Sequence, residues 1–278
     1  MNATKKMIMW SNWKIYMKSR KDVQDYVEKI RENLKSFDSS ILEIHIMTDF
    51  LSFEYVKKNL ADTSIKVGVQ DLFWEDSGSF AGEVSPLMLK DLGCDSAYIG
   101  HSERKNLFFE SDENVNRKVH SCLRNGIAPM MFIGETSEEL EKGVTEYILR
   151  KQLRIGLNGV LPEDLEKIII IYEPRWAIGC KDSASLETIQ TMHKKTICLL
   201  SEIYDKEIVA QVRILYGGSV NLENIQGIVG IDEVDGVGAA RASMDSLDFI
   251  KLIKIVETEA KKRSRSKESG FLDKSATI

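Results

Sequence analysis

The chain has 278 residues, 43% hydrophobic and 29% charged, the balance of an ordinary globular protein. That length suits one α/β barrel of roughly 250 residues or two smaller domains. A net charge of −5 argues against a general nucleic-acid binder, which needs a basic footprint, but not against a small anionic substrate held by backbone N–H groups. No apolar run approaches the roughly eighteen residues that span a bilayer. The opening MNATKKMIMWSNWK lacks a long apolar h-region, so it does not read as a signal peptide. Cys94, Cys122, Cys180 and Cys198 are dispersed, with no C-x-x-C pair. Zinc ligation is poorly supported, and the expectation is a reduced, cytoplasmic protein with structural thiols and no membrane association.

Short apolar runs recur in chain order: MIMW at 7–10, IHIM at 44–47, IKVGV at 65–69 and AYIG at 97–100. APMMFI at 128–133, IIIIY at 168–172, VRILY at 212–216 and VDGVGA at 234–239 follow. Several are apolar on both alternating faces, as strands of a covered parallel sheet are. Helical spacing lies between them. Val23, Val27, Ile30 and Leu34 share one face, and similar patterns cover 112–124, 138–156, 186–204 and 245–257. About eight strand-then-helix units predict a single-domain (β/α)₈ barrel over 1–257. An open doubly wound sheet satisfies the same periodicity. Residues 258–278, charged and Ser-rich, read as a mobile tail.

Five motifs fall just after predicted strands, where a barrel builds its site. SNWK places Asn12 and Lys14 at the first strand end, where a lysine can hold an anion and stabilise an oxyanion. GHSERK follows the fourth strand, with Ser102, Glu103 and Arg104 as a first helical turn behind His101. A helix N-terminus aimed at an imidazole disfavours the cation, so a neutral ring is left to donate a hydrogen bond. IIIIYEPRWAIG carries Glu173 at the end of the most hydrophobic strand, a costly place for a carboxylate without a task. The small residues after it suit a hinged lid over 174–183. ILYGGSV places Gly217, Gly218 and Ser219 where consecutive N–H groups can converge on a phosphate. DGVGAARAS supplies a comparable turn after the last strand.

NWK, GHSER, YEPxWAIG and YGGSV in that order resemble the triosephosphate isomerase family from about Met7 to Val256. The resemblance implies Glu173 as the base that removes a proton beside the carbonyl, with His101 and Lys14 stabilising the enediolate. It implies that Glu103 orients Lys14, that Asn12 contacts substrate oxygens, and that Gly179, Ser219, Ala240 and Arg241 meet the substrate. Tyr216 and Ser219 are expected to latch the lid, which keeps water from promoting phosphate elimination. No metal or cofactor is implied. A small phosphorylated sugar and a homodimer partner are, with the 70–86 loop entering the neighbour's site and Phe73, Trp74 and Phe80 as its apolar anchors.

The chain departs from the family pattern at one end of the site. The lid reads AIGCKDSA instead of AIGTGKTA, with Asp182 where a lysine is usual. Ala240 and Arg241 occupy the positions of a Gly-Gly phosphate nest, and Ala81 replaces the threonine that reaches into the partner. Two substrates therefore stand, a triose phosphate and a four-carbon ketose phosphate such as erythrulose phosphate. A non-catalytic sugar-phosphate-binding barrel and a Schiff-base aldolase using Lys14 are the readings from other classes.

Overall fold

The computed structural model describes residues 5–275 apart from Lys35 and Lys181. Eight parallel strands close on themselves in sequence order. They are β1 Met7–Asn12, β2 Leu42–Thr48, β3 Lys66–Val69, β4 Ser96–Ile99, β5 Ala128–Ile133, β6 Ile169–Tyr172, β7 Arg213–Gly217 and β8 Gly236–Ala239. Closure is explicit in the pairing of β1 with β8, Ile8 opposite Gly236 and Trp10 opposite Gly238. The open doubly wound sheet is thereby excluded.

Residues alternate between two cores, as the pleat demands. Ile8, Trp10, Met47, Tyr98, Phe132, Ile169, Ile171 and Leu215 fill the barrel interior. Met9, Ile44, Ile46, Ile170, Ile214 and Val237 face outward against the helices. This two-sided burial is why the strands read as continuous apolar runs.

The outer ring begins with α1 Arg20–Asn33, α2 Phe50–Asn59, α3 Pro86–Asp91, α4 Ser102–Leu107, α5 Asp112–Asn125 and α6 Ser137–Glu141. It continues with α7 Thr145–Gly156, α8 Pro162–Leu165, α9 Leu186–Leu200, α10 Lys206–Val209, α11 Ile225–Val229 and α12 Ser246–Ser275. Side chains of Ser19, Asp49, Ser111 and Ser185 cap α1, α2, α5 and α9, satisfying N–H groups that the first turn leaves free. The single helix expected over 138–156 is two, α6 and α7. Gly143, at φ 69°, takes the left-handed conformation that ends the first, a turn glycine makes at little cost.

The last helix runs on past 257. In place of a mobile tail from Thr258, α12 continues to Ser275. Ala260 is buried, and the Arg263 guanidinium donates to the carbonyls of Val229, Ile231, Asp232 and Val234. The final three residues of that predicted tail, 276–278, lie outside the described residues.

Two side-chain expectations also need correction. Phe73 is buried in its own protomer, packed on Trp74 and Phe80, so it is no interface anchor. Cys94 and Cys122 are buried thiols, but Cys180 and Cys198 are exposed and are not structural in that sense. Among the described residues, no helix is long and apolar enough to cross a membrane.

Candidate active site

The carboxyl ends of the strands converge on a cavity of about 240 Å³ lined by Asn12, Lys14, His101, Glu173, Gly179, Ser219, Ala240 and Arg241 among others. Motifs spread over most of the sequence therefore meet in one place.

Glu173 follows β6 directly, its backbone N–H donating to the Ile133 carbonyl at 2.8 Å. Pro174 then turns the chain away from the sheet. The carboxylate is buried, with Oε1 3.4 Å from His101 Nε2 and Oε2 accepting from the Ser102 N–H at 3.3 Å. Burial pushes this carboxyl up. The His101 ring, the Ser102 N–H and Lys14 outweigh that and hold it below the usual carboxylate range, so the group is a carboxylate.

His101 is itself the N-cap of α4, its Nδ1 accepting from the Glu103 N–H at 3.2 Å. A ring nitrogen that accepts carries no proton, so the neutral ring bears its hydrogen on Nε2. That N–H points into the cavity beside Glu173. Asn12 Nδ2 also lies 3.4 Å from Nε2, but an amide NH₂ cannot donate to a ring nitrogen that carries its own hydrogen, so Glu173 is the acceptor for this N–H.

Lys14 sits at φ 46°. The turn is held by its N–H donating to Asn12 Oδ1 at 3.0 Å and by Gln70 Nε2 donating to its carbonyl at 2.9 Å. Its Nζ is ion-paired with Glu103, the orienting contact expected. One strand-end turn thus aims both Asn12 and Lys14.

The lid begins with a short 3₁₀ turn, Arg175–Ala177. Gly179, at φ 78°, bends it over the cavity. Lys181, within the expected lid, lies outside the described residues. Ser219 Oγ donates to the Ala177 carbonyl at 2.9 Å and the Cys180 carbonyl at 2.8 Å. The Ala184 N–H donates to the Tyr216 hydroxyl at 3.1 Å. Burial pushes the Tyr216 phenol well up, keeping it neutral. Both expected latch residues therefore touch the lid.

At the last strand, Ala240 has φ −97° and Arg241 opens a 3₁₀ turn without positive φ. Ser243 Oγ fixes this turn by donating to the Ala239 and Ala240 carbonyls. Arg241 lines the cavity mouth next to Tyr16, and its guanidinium makes no hydrogen bond or ion pair among the described residues.

Several supporting residues escaped the sequence reading. Glu135 is buried and accepts from Trp176 Nε1 at 2.8 Å and from the Tyr172 hydroxyl, tying down the start of the lid. In the sequence it reads only as an acidic residue before the Thr136 helix cap. Behind His101, Lys118 pairs with Asp71 and Glu110, and Glu110 accepts from the Gly100 N–H at 3.1 Å. Burial holds Asp71 up at about 6 despite the Lys118 ammonium. A lysine on a helix gives no sign in sequence that it faces inward. Trp10, visible only as part of a strand, lines the cavity as well.

A closed parallel barrel with a carboxylate beside an imidazole at its strand ends defines the class, a (β/α)₈-barrel enzyme. The triosephosphate isomerase family model matches residues 7–256. A triosephosphate isomerase of Dictyoglomus thermophilum is 42% identical over 220 residues, covering 79% of this chain and 87% of that protein. That of Geobacter metallireducens is 42% identical over 217 residues, covering 78% and 85%. That of Finegoldia magna is 39% identical over 222 residues, covering 79% and 86%. The chain belongs to the triosephosphate isomerase family.

Proposed function

We propose that this chain interconverts glyceraldehyde 3-phosphate and dihydroxyacetone phosphate through an enediolate. The observation that carries the reading is the Glu173 carboxylate beside the His101 Nε2–H, 3.4 Å apart over one cavity. Glu173 removes the proton from the carbon next to the carbonyl. His101 donates a hydrogen bond to the oxygen on which charge develops, Lys14 adds its field, and Glu173 returns the proton to the neighbouring carbon. Asn12 positions the substrate oxygens. Gly179, Ser219 and the Ala240–Arg241 turn take the phosphate, with the Arg241 guanidinium adding side-chain charge to a turn that lacks glycines. The lid excludes the water that would otherwise favour loss of phosphate. None of these steps calls on a metal or an organic cofactor.

The other readings are weaker. A pure sugar-phosphate binder has no use for a buried carboxylate base. A Schiff-base aldolase needs a free amine lone pair, whereas Lys14 Nζ is committed to Glu103. The relatives described above carry the triose name, which gives the four-carbon substrate no support. The test is isomerisation of a panel of three- and four-carbon sugar phosphates. A hundredfold preference in kcat/KM for a four-carbon sugar, or no turnover of glyceraldehyde 3-phosphate, overturns the reading.

The working unit is proposed to be a cytoplasmic homodimer. Ile15 and Leu51 are 89% and 98% exposed at a large groove that also takes in Met17, Phe50 and Tyr55, apolar surface of the kind that subunit contacts cover. Phe80, 43% exposed at the tip of the 70–86 loop, fits such a groove on a second copy, and Ala81 beside it costs one polar contact. Sedimentation showing only monomer at micromolar concentration contradicts this assembly.

A further inference from the structure

Two glycines on the inner cavity wall are each covered by a side chain from an adjacent strand. A Cβ at Gly217 would lie 3.3 Å from Ile171 Cγ2 and 3.5 Å from Glu173 Oε1, a tight contact but one that a small shift relieves. A Cβ at Gly238 would fall 1.8 Å from Trp10 Cε2 and 2.1 Å from Cζ2, within the indole itself. Trp10 is the direct cross-strand partner of Gly238, so the ring lies across bare backbone and fills the space of two side chains. It is 3% exposed, packs in the interior cluster with Tyr98 and Phe132, and still lines the cavity.

We propose that Trp10 is a specificity-determining residue, its indole forming the floor that limits the cavity to a three-carbon sugar phosphate. The proposal rests on the isomerase reading and deepens it. Trp10 lies two residues before Asn12 on the same inward face of β1, one layer further from the mouth. A phosphate seated at the Arg241 turn leaves a fixed depth down to this floor. In a four-carbon substrate the extra CHOH unit separates the phosphate from the reacting carbons, which are then driven past Glu173 and His101 into the ring. The apolar ring of the floor is also a poor partner for the added hydroxyl. An unpaired buried hydroxyl is costly.

The test is the ratio of kcat/KM for glyceraldehyde 3-phosphate to that for erythrose 4-phosphate in wild type, Trp10→Phe and Trp10→Leu. A ratio cancels any loss of correctly folded enzyme. Trp10→Leu is expected to move it toward the four-carbon sugar by about tenfold to a hundredfold, the range for a resized apolar pocket, with Trp10→Phe in between. Gly238→Ala keeps the tryptophan but forces it into the cavity, so KM for the triose should rise several-fold. A ratio within twofold of wild type in Trp10→Leu, or an unchanged KM in Gly238→Ala, overturns the proposal. Wild type that isomerises neither sugar overturns the isomerase reading too, whereas an active wild type with an unmoved ratio overturns only the role of Trp10.

Discussion

Replacing Tyr216 by Phe should unlatch the lid without disturbing the barrel. The ring is fully buried, and phenylalanine keeps its volume, so packing is preserved. What disappears is the hydroxyl that accepts from the Ala184 N–H at 3.1 Å. Ala184 is itself buried, so the closed lid would hold an unpaired donor, at a cost of about 1–3 kcal/mol. That corresponds to about a 5- to 150-fold fall in the closed-to-open equilibrium constant. Ser219 still holds the Ala177 and Cys180 carbonyls, which favours the low end of the range. The assay follows isomerisation and inorganic phosphate release together, since an open lid admits the water that promotes elimination. We expect kcat/KM to fall at least fivefold and phosphate release per turnover to rise. Ser219→Gly is the companion variant, because glycine accepts the φ of 48° and removes only the hydroxyl. If Tyr216→Phe changes kcat/KM by less than twofold and elimination not at all, the latch is not what holds the lid.

Three further outcomes follow from the same geometry. Glu173→Gln removes the base while keeping its shape, and turnover should drop at least about a hundredfold with a much smaller change in KM; more than half of wild-type activity would refute the assignment. Nitrogen NMR of labelled histidine should show His101 with its proton on Nε2, and a proton on Nδ1 would contradict the cap on α4. Burial holds the His193 imidazole down at about 4, so the unfolded chain takes up a proton first as the medium acidifies. Its contribution is therefore complete above about pH 6.5 and is lost as pH falls toward 4, about 2 kcal/mol of it by pH 5. Denaturant unfolding of His193→Gln should show a smaller loss between pH 7 and 5 than wild type, and equal losses would exclude this source.

The strands were legible because both faces of each are buried, leaving unbroken apolar runs such as IIIIY. The candidate site positions were legible because each lies within a few residues of the end of such a run. The helices were less so. Periodicity cannot register α3, α8, α10 and α11, which are four to six residues long, and one apolar stripe crosses the break at Gly143 unnoticed. Phe73 and Lys118 show a deeper limit, since an aromatic in a loop and a lysine on a helix are ordinarily exposed. Only the three-dimensional path, with Asp71 and Glu110 meeting Lys118, turns them inward. Trp10 acquires its meaning from Gly238 at the other end of the chain, a pairing that exists only once the barrel has closed.

Lys14 gives the fold a different significance. Outside glycine, its left-handed backbone is disfavoured by about 1–2 kcal/mol, and the Asn12 and Gln70 hydrogen bonds oppose relaxation rather than relieve it. The residue thus holds a disfavoured conformation that its neighbours keep in place. A designer ranking positions by backbone strain alone would replace it with glycine, which accepts the dihedral but gives up the Glu103 ion pair and adds unfolded-chain entropy. The same change would delete the ammonium that faces the cavity. Position 14 is therefore where optimisation of backbone geometry and optimisation for turnover part company, and screens for hardier variants of this barrel need an activity criterion there.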